Sequence, residues 1–142
     1  MYIKQLTVFV ENQKGRVADI AAAIGAAGID IRAISVADTA DFGILRLIVN
    51  DPYAACEVLR EKEFMVSLTD VLAVGIPDIP GAFAGALKIL AKNNIDVEYM
   101  YAFISRKHGE AFVILRVEDN DAAASLLREK GFDILSAEDV YK

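Results

Sequence analysis

Pro77-Asp78-Ile79-Pro80-Gly81-Ala82-Phe83 stands at the midpoint of a chain of 142 residues. An apolar, strand-like run (71–76) leads into it, and an apolar, helix-like run (83–90) leads out. Two prolines and a glycine make a rigid turn between the two, and Asp78 sets a carboxylate just ahead of a helix start. The first N–H groups of a helix have no partners inside it, so such a turn is either capped by its own side chains or open to a polar ligand.

Working outward, the turn has a counterpart. Gly15 lies 66 residues before Gly81, and the same offset sets Ala18 on Ala84, Ile29 on Ile95 and Asp30 on Asp96. An offset of 68 sets Asp51 on Asp119, Leu59-Arg60-Glu61-Lys62 on Leu127-Arg128-Glu129-Lys130, and Phe64 on Phe132. The two extra residues belong in the polar turn Ser105-Arg106-Lys107-His108-Gly109-Glu110, because turns tolerate insertions. The chain is an internal duplication.

Each copy reads as β-α-β-β-α-β. In the first, residues 3–10 alternate as a strand. Val17, Ile20, Ala21, Ile24 and Ala27 then recur at helical spacing. That helix stops at Gly28, where the second copy has Asn94; these two residue types best tolerate the left-handed conformation after a helix. Strands at 29–36 and 44–49 form a hairpin. A helix at 51–62 carries Pro52 in its first turn, and a strand follows at 64–72. The second copy gives a helix at 82–92, strands at 95–104 and 111–117, a helix at 120–129 and a strand at 134–141. The fold class is α+β: two ferredoxin-like βαββαβ sandwiches with antiparallel sheets joined edge to edge, over residues 1–70 and 71–142. The last strand of copy one overlaps the first of copy two. That predicts one shared strand over 65–76, about 40 Å long at ~3.3 Å per residue.

Composition narrows the function. The chain is 55% hydrophobic and 25% charged, with a net charge of −6, which opposes a nucleic-acid surface. One cysteine, Cys56, excludes an intrachain disulfide. With no signal-peptide pattern and no run of ~18 apolar residues, the expectation is a cytoplasmic protein with no membrane segment. Cys56 reads as buried and inert, and the single histidine, His108, as a solvated turn residue. No cofactor or metal is expected, since a lone histidine with no cysteine beside it makes a poor ligand set. Tyr99, Tyr101 and Phe103 share one face of a strand, for core or interface packing.

Asp78-x-Pro80-Gly81-x-Phe83, an apolar helix, then Asn94-Ile95-Asp96-Val97 resemble the ACT domain, a small regulatory module of enzymes of amino-acid metabolism. Copy one matches more loosely, through Asn12-Gln13-Lys14-Gly15-Arg16-Val17 and Gly28-Ile29-Asp30-Ile31. Asn12 and Lys14 stand where copy two has Asp78 and Pro80. The resemblance spans almost the whole chain and implies a stand-alone tandem ACT protein that binds a small ligand, usually an amino acid. It also allows a partner enzyme and a homodimer.

Chemistry supplies the candidate site. A free amino acid needs N–H donors for its carboxylate and oxygens for its ammonium. Backbone at Arg16, Val17 and Ala18, and at Ala82, Phe83 and Ala84, supplies donors at the two helix starts. Gly15 and Gly81 allow close approach, and Ile79 and Pro80 complete the second turn. Asp78 would take the ammonium; Asn12 offers only its amide oxygen. Asp30, Ile31 and Asp96 stand at the start of the second strand of each copy. The plainer reading makes Asn12 and Asp78 helix caps and Gly15 and Gly81 turn formers. The function expected is a non-catalytic, amino-acid-binding regulator or sensor. The alternatives are an interaction subunit for a partner enzyme with no ligand of its own, and an acylphosphatase-like enzyme, for which Arg16 and Asn12 are the only analogue.

Overall fold

In the computed structural model, which describes residues 2–11, 14–38, 42–103 and 108–141, the first copy becomes β1 (Ile3–Glu11), α1 (Arg16–Ala26), β2 (Ile31–Asp38), β3 (Phe42–Val49) and α2 (Pro52–Glu61). Strand β4 (Met65–Pro77) follows, then α3 (Ala82–Lys92), β5 (Val97–Phe103), β6 (Glu110–Val117), α4 (Asn120–Glu129), β7 (Asp133–Leu135) and α5 (Ala137–Tyr141). Asn12, the first hairpin tip and the first half of the expected insertion at Ser105–Glu110 lie outside the described residues. The chain divides into two compact units: residues 4–69, and residues from Asp70 onward with Ile3 and Tyr2.

In the first unit β3 lies between β2 and β1, both antiparallel to it, with Leu6 opposite Leu47 and Val8 opposite Leu45. The hydroxyls of Thr7 and Thr69, 3.2 Å apart, bring the first half of β4 beside β1. Leu6, Val8, Leu45 and Leu47 meet Ile20 and Ile24 of α1 and Leu59 of α2 in one buried core. The second unit repeats this plan. β6 lies between β5 and β4, with Val74 opposite Val113, and β7 takes the other side of β4 at Ile134. Leu72, Val74, Val113 and Leu115 are buried with Leu90 of α3 and Leu127 of α4. Each unit is a ferredoxin-like βαββαβ layer pair. Cys56 is buried and unpaired, and His108 is exposed.

The expected shared strand is present: β4 runs its 13 residues without interruption, and the unit boundary falls inside it. At that boundary Asp70 turns its carbonyl to side chains, accepting from Arg116 Nη1 at 3.2 Å and Asn120 Nδ2 at 3.3 Å. Both donors come from elements of the second unit, β6 and the first turn of α4.

Two readings of the sequence need correction. The strands placed at 29–36 and 95–104 begin two residues later, because Ile29 and Ile95 finish the preceding helices. Their N–H groups donate to Ile24 O at 3.2 Å and Leu90 O at 2.9 Å. Gly28 and Asn94 do take the left-handed turn (φ 74° and 60°) that this requires. Second, the strand placed at 134–141 is three residues of β7 followed by α5. Ser136-Ala137-Glu138-Asp139 is a reciprocal cap: Ser136 N–H donates to Asp139 Oδ2 at 3.0 Å, and Asp139 N–H to Ser136 Oγ at 3.2 Å. That cap starts a helix where apolar alternation suggested a strand, and the helix buries Val140. Tyr99, Tyr101 and Phe103 share one face of β5 as expected; the strand slips register only before them, between Val97 and Tyr99, as β2 does between Ile31 and Ala33. Past the slip Met100 meets the core. Phe103 sits opposite Phe112, edge to face at 5.3 Å.

Tyr2 ties the start of β1 to the second unit by donating its hydroxyl to the Asp121 carboxylate. That bond, then desolvation, then the Asp121 charge raise the phenol above its ordinary pKa. A folded-state pKa raised above the unfolded one gives stability that is complete at neutral pH and is lost as pH rises through the folded value. Tyr2→Phe is therefore less stable than wild type at pH 7, and the gap narrows as pH passes about 10. Urea unfolding of both proteins across pH 7 to 11 measures this; a constant gap would contradict it.

Candidate functional site

The turn after β4 is built by backbone bonds. Asp78 N–H donates to Gly109 O at 2.9 Å, Ile79 N–H to Pro77 O at 2.9 Å and Ala82 N–H to Ile79 O at 3.3 Å. Gly81 then opens α3 with φ 89°, and Gly15 opens α1 with φ 87°. Both are left-handed, where a side chain costs roughly 1–2 kcal/mol. A Cβ at either glycine would meet nothing within 4 Å, so the φ angle is what requires glycine there, and the space outside is open.

The plainer reading of Asp78 fails. Among the described residues no side chain makes a cap hydrogen bond at the start of α3 or of α1. The other two long helices differ. Asp51 accepts from Ala54 N–H at 3.1 Å at the start of α2, and Asp119 from Ala122 N–H at 3.0 Å at the start of α4. One chain thus carries two aspartate-capped helices and two glycine-started helices whose first turns have no side-chain acceptor among the described residues. The caps at Asp51 and Asp119 were missed in the sequence; an aspartate two residues after each strand's last apolar residue, before a helical run, was the available signal.

The predicted residues divide between the units. In the second unit Asp78, Ile79, Pro80, Gly81, Phe83 and Ala84 are exposed on the turn, with Ile79 64% and Phe83 36% accessible, while Ala82 is half-buried against the core. The Ala82 N–H is already spent on Ile79, so the first-turn donors are those of Phe83 and Ala84. Asp96 lines a cleft of about 730 Å³ between the α3–β5 and β6–α4 links, with Glu98, Glu118, Asp119 and Asp121. In that wall Glu98 is paired with Arg116 at 3.2 Å.

In the first unit Val17 and Ala18 are exposed on the first turn of α1. Arg16 sends its side chain away from the turn, over the Phe64 ring at 4.6 Å. Asp30 is exposed, and its N–H donates to Asn50 Oδ1 at 2.9 Å, a contact not read from the sequence. Ile31 begins β2 and packs against the core. Asn12 lies outside the described residues. Among the described residues no three His, Cys, Asp or Glu side chains gather to hold a metal ion, and no helix is long and apolar enough to cross a membrane.

The family described as an ACT domain pair matches residues 1–142. Protein BT0572 from Bacteroides thetaiotaomicron is similar in structure, with TM-score 0.92 and 39% identity over 100% of this chain and 97% of that one. The ligand-free regulatory subunit of aspartate kinase from Thermus thermophilus gives TM-score 0.66 at 19% identity, over 90% and 91% of the two chains. The regulatory subunit of aspartate kinase from Thermus flavus gives 0.64 at 14%, over 100% and 95%. These last two share the fold. No curated protein matches the chain.

The contrast between helix starts fixes the order of three substitutions. Gly81→Ala loses about 1–2 kcal/mol through its left-handed φ. Asp119→Ala loses about 1 kcal/mol with its cap. Asp78→Ala stays within about 0.5 kcal/mol of wild type. Urea unfolding ranks them, and an Asp78→Ala loss as large as that of Asp119→Ala would restore the cap reading.

Proposed function

Since the chain belongs to the ACT domain pair family, we propose that it binds a free α-amino acid at the Asp78–Ala84 turn and reports its occupancy to a partner enzyme, with no chemistry of its own. The observation that carries this is the Gly81 start of α3, with no side-chain acceptor on its first turn and an unused aspartate three residues before it. A carboxylate placed there accepts from Phe83 and Ala84 N–H groups and gains from the positive end of the helix. The ammonium on the same ligand carbon meets the Asp78 carboxylate, a charge-assisted bond that a cap would have consumed. The exposed faces of Ile79 and Phe83 offer an apolar neighbour for a side chain. Backbone donors, one carboxylate and apolar surface make a binding set; a nucleophile beside a base is not among them.

The regulatory role follows from where the turn sits. It continues directly from β4, the strand whose residues enter the cores of both units. Ligand held at its end acts on a strand that neither core can release. The aspartate kinase chains that share this fold are regulatory subunits of an enzyme, and the proposal gives this chain a role of that kind.

A thermal-shift series against the twenty amino acids tests the proposal. A ligand that binds only the folded state adds about 2.7 kcal/mol at a hundredfold excess over its Kd, a rise of several degrees in Tm. One amino acid, or a chemically related few, raises Tm in wild type. Asp78→Ala removes that rise and keeps the unliganded Tm. A flat series sinks the proposal in favour of an interaction subunit, and an undiminished rise in Asp78→Ala moves the site elsewhere.

A further inference from the structure

We propose that the helix layer of the first unit holds a second, separate site: a groove for a small aliphatic carboxylate, clamped by Arg16 and Lys62. The groove has a volume of about 450 Å³. Its floor is Ala22, Ala23 and Ala26 of α1, and its walls carry Arg16 and Asp19 of α1, and Lys62 and Phe64 just after α2. Three alanine methyls give an apolar floor with nothing to hydrogen-bond. Both cations stand at its margin, against one carboxylate, so the lining carries one net positive charge on a chain whose net charge is −6. A single anionic head with a short hydrocarbon body matches that lining in charge and polarity.

The arginine is the anchor. Its guanidinium lies over the Phe64 ring, 4.6 Å from the ring centre, a cation–π contact that holds it beside the groove. Its contact with Asp19 is 3.7 Å, too long for a hydrogen bond, and its Nε has no partner. A planar cation held by an aromatic face, with donors unspent, is pre-set for the two oxygens of a carboxylate and loses little freedom on binding one.

The second copy shows that the fold does not require this arrangement. At the equivalent positions Arg16 becomes Ala82, Ala22 becomes Lys88, Ala23 becomes Ile89 and Ala26 becomes Lys92, while Phe132 and Lys130 keep the places of Phe64 and Lys62. That copy packs its core equally well without the guanidinium and with long side chains where the floor would be. The groove is therefore a property of the first copy's surface. It uses the Arg16 side chain, not the backbone of the helix start, and it does not rest on the amino-acid reading of the Asp78 turn.

Sodium butyrate is the probe, titrated into the full chain against sodium chloride at equal ionic strength, with backbone amides followed by ¹H–¹⁵N NMR. Saturable shifts at Ala22, Ala23 and Ala26 are expected with butyrate and not with chloride. Ala22→Lys, which installs the second copy's residue at an exposed position, abolishes them. Arg16→Lys keeps the charge, loses the fork and weakens binding about tenfold, the worth of one charge-assisted hydrogen bond. Unchanged Tm values for both variants separate a lost ligand from a lost fold. Shifts that match chloride, that survive Ala22→Lys, or that appear only at Phe83 and Ala84 overturn the site. An Arg16→Lys variant that binds as wild type but melts lower reduces Arg16 to a cover for Phe64.

Discussion

Register along β4 is the constraint on which the rest depends. Val66 and Leu68 of this strand serve the first core, and Leu72, Val74 and Ile76 serve the second. Side chains on a strand alternate, so a slip of one residue would turn every one of these to the wrong face. Such a slip is opposed in both units at once, at Thr7–Thr69 in one and along the Leu72–Leu115 ladder in the other. Here the two hydrophobic patterns are written on one strand.

Core packing of α1 and α3 explains why their glycine starts are tolerable. A helix whose first N–H groups lack a side-chain acceptor forgoes about 1 kcal/mol relative to a capped one. The chain demonstrates the capped solution twice, at Asp51 and Asp119. At Gly15 and Gly81 it takes a left-handed turn instead and leaves the space outside open. Strand and core hold those helices in place without help from a cap, so the donors of the first turn are left for something else. The difference between the two kinds of start is local chemistry on one scaffold.

Most of the architecture was legible because the duplication reads twice. Any strand or helix inferred in one copy had a second, independent sequence to agree with, and Gly28 and Asn94 marked the same left-handed helix end with different residues. The misreadings came where local hydrogen bonding outvoted periodicity. Ser136 and Asp139 form a cap that starts α5 inside an apolar pattern suited to a strand. Ile29 and Ile95 look like strand residues but close the preceding helices with their N–H groups. In the site, the positions of the turn residues were readable, but what they do was not. Whether Asp78 caps α3 depends on where one side chain points, and Arg16 was read for its backbone while its side chain turned toward Phe64. Composition and spacing carry no sign of either.

The two copies are alike in their cores and unlike on their surfaces, and the reason is physical. Buried positions such as Leu47 and Leu115, or Leu59 and Leu127, are held by packing at crystal-like density, where a change of one methylene is felt. The solvent side of a helix imposes no such limit, since substitutions there usually shift stability by less than about 0.5 kcal/mol. Once a duplicated fold is fixed by its register, its outward positions can diverge at little cost. In sequence Lys14 then corresponds to Pro80, Asn12 to Asp78, and the alanines Ala22 and Ala26 to the lysines Lys88 and Lys92. Two copies of one scaffold can therefore present different ligand chemistry while each keeps its own core.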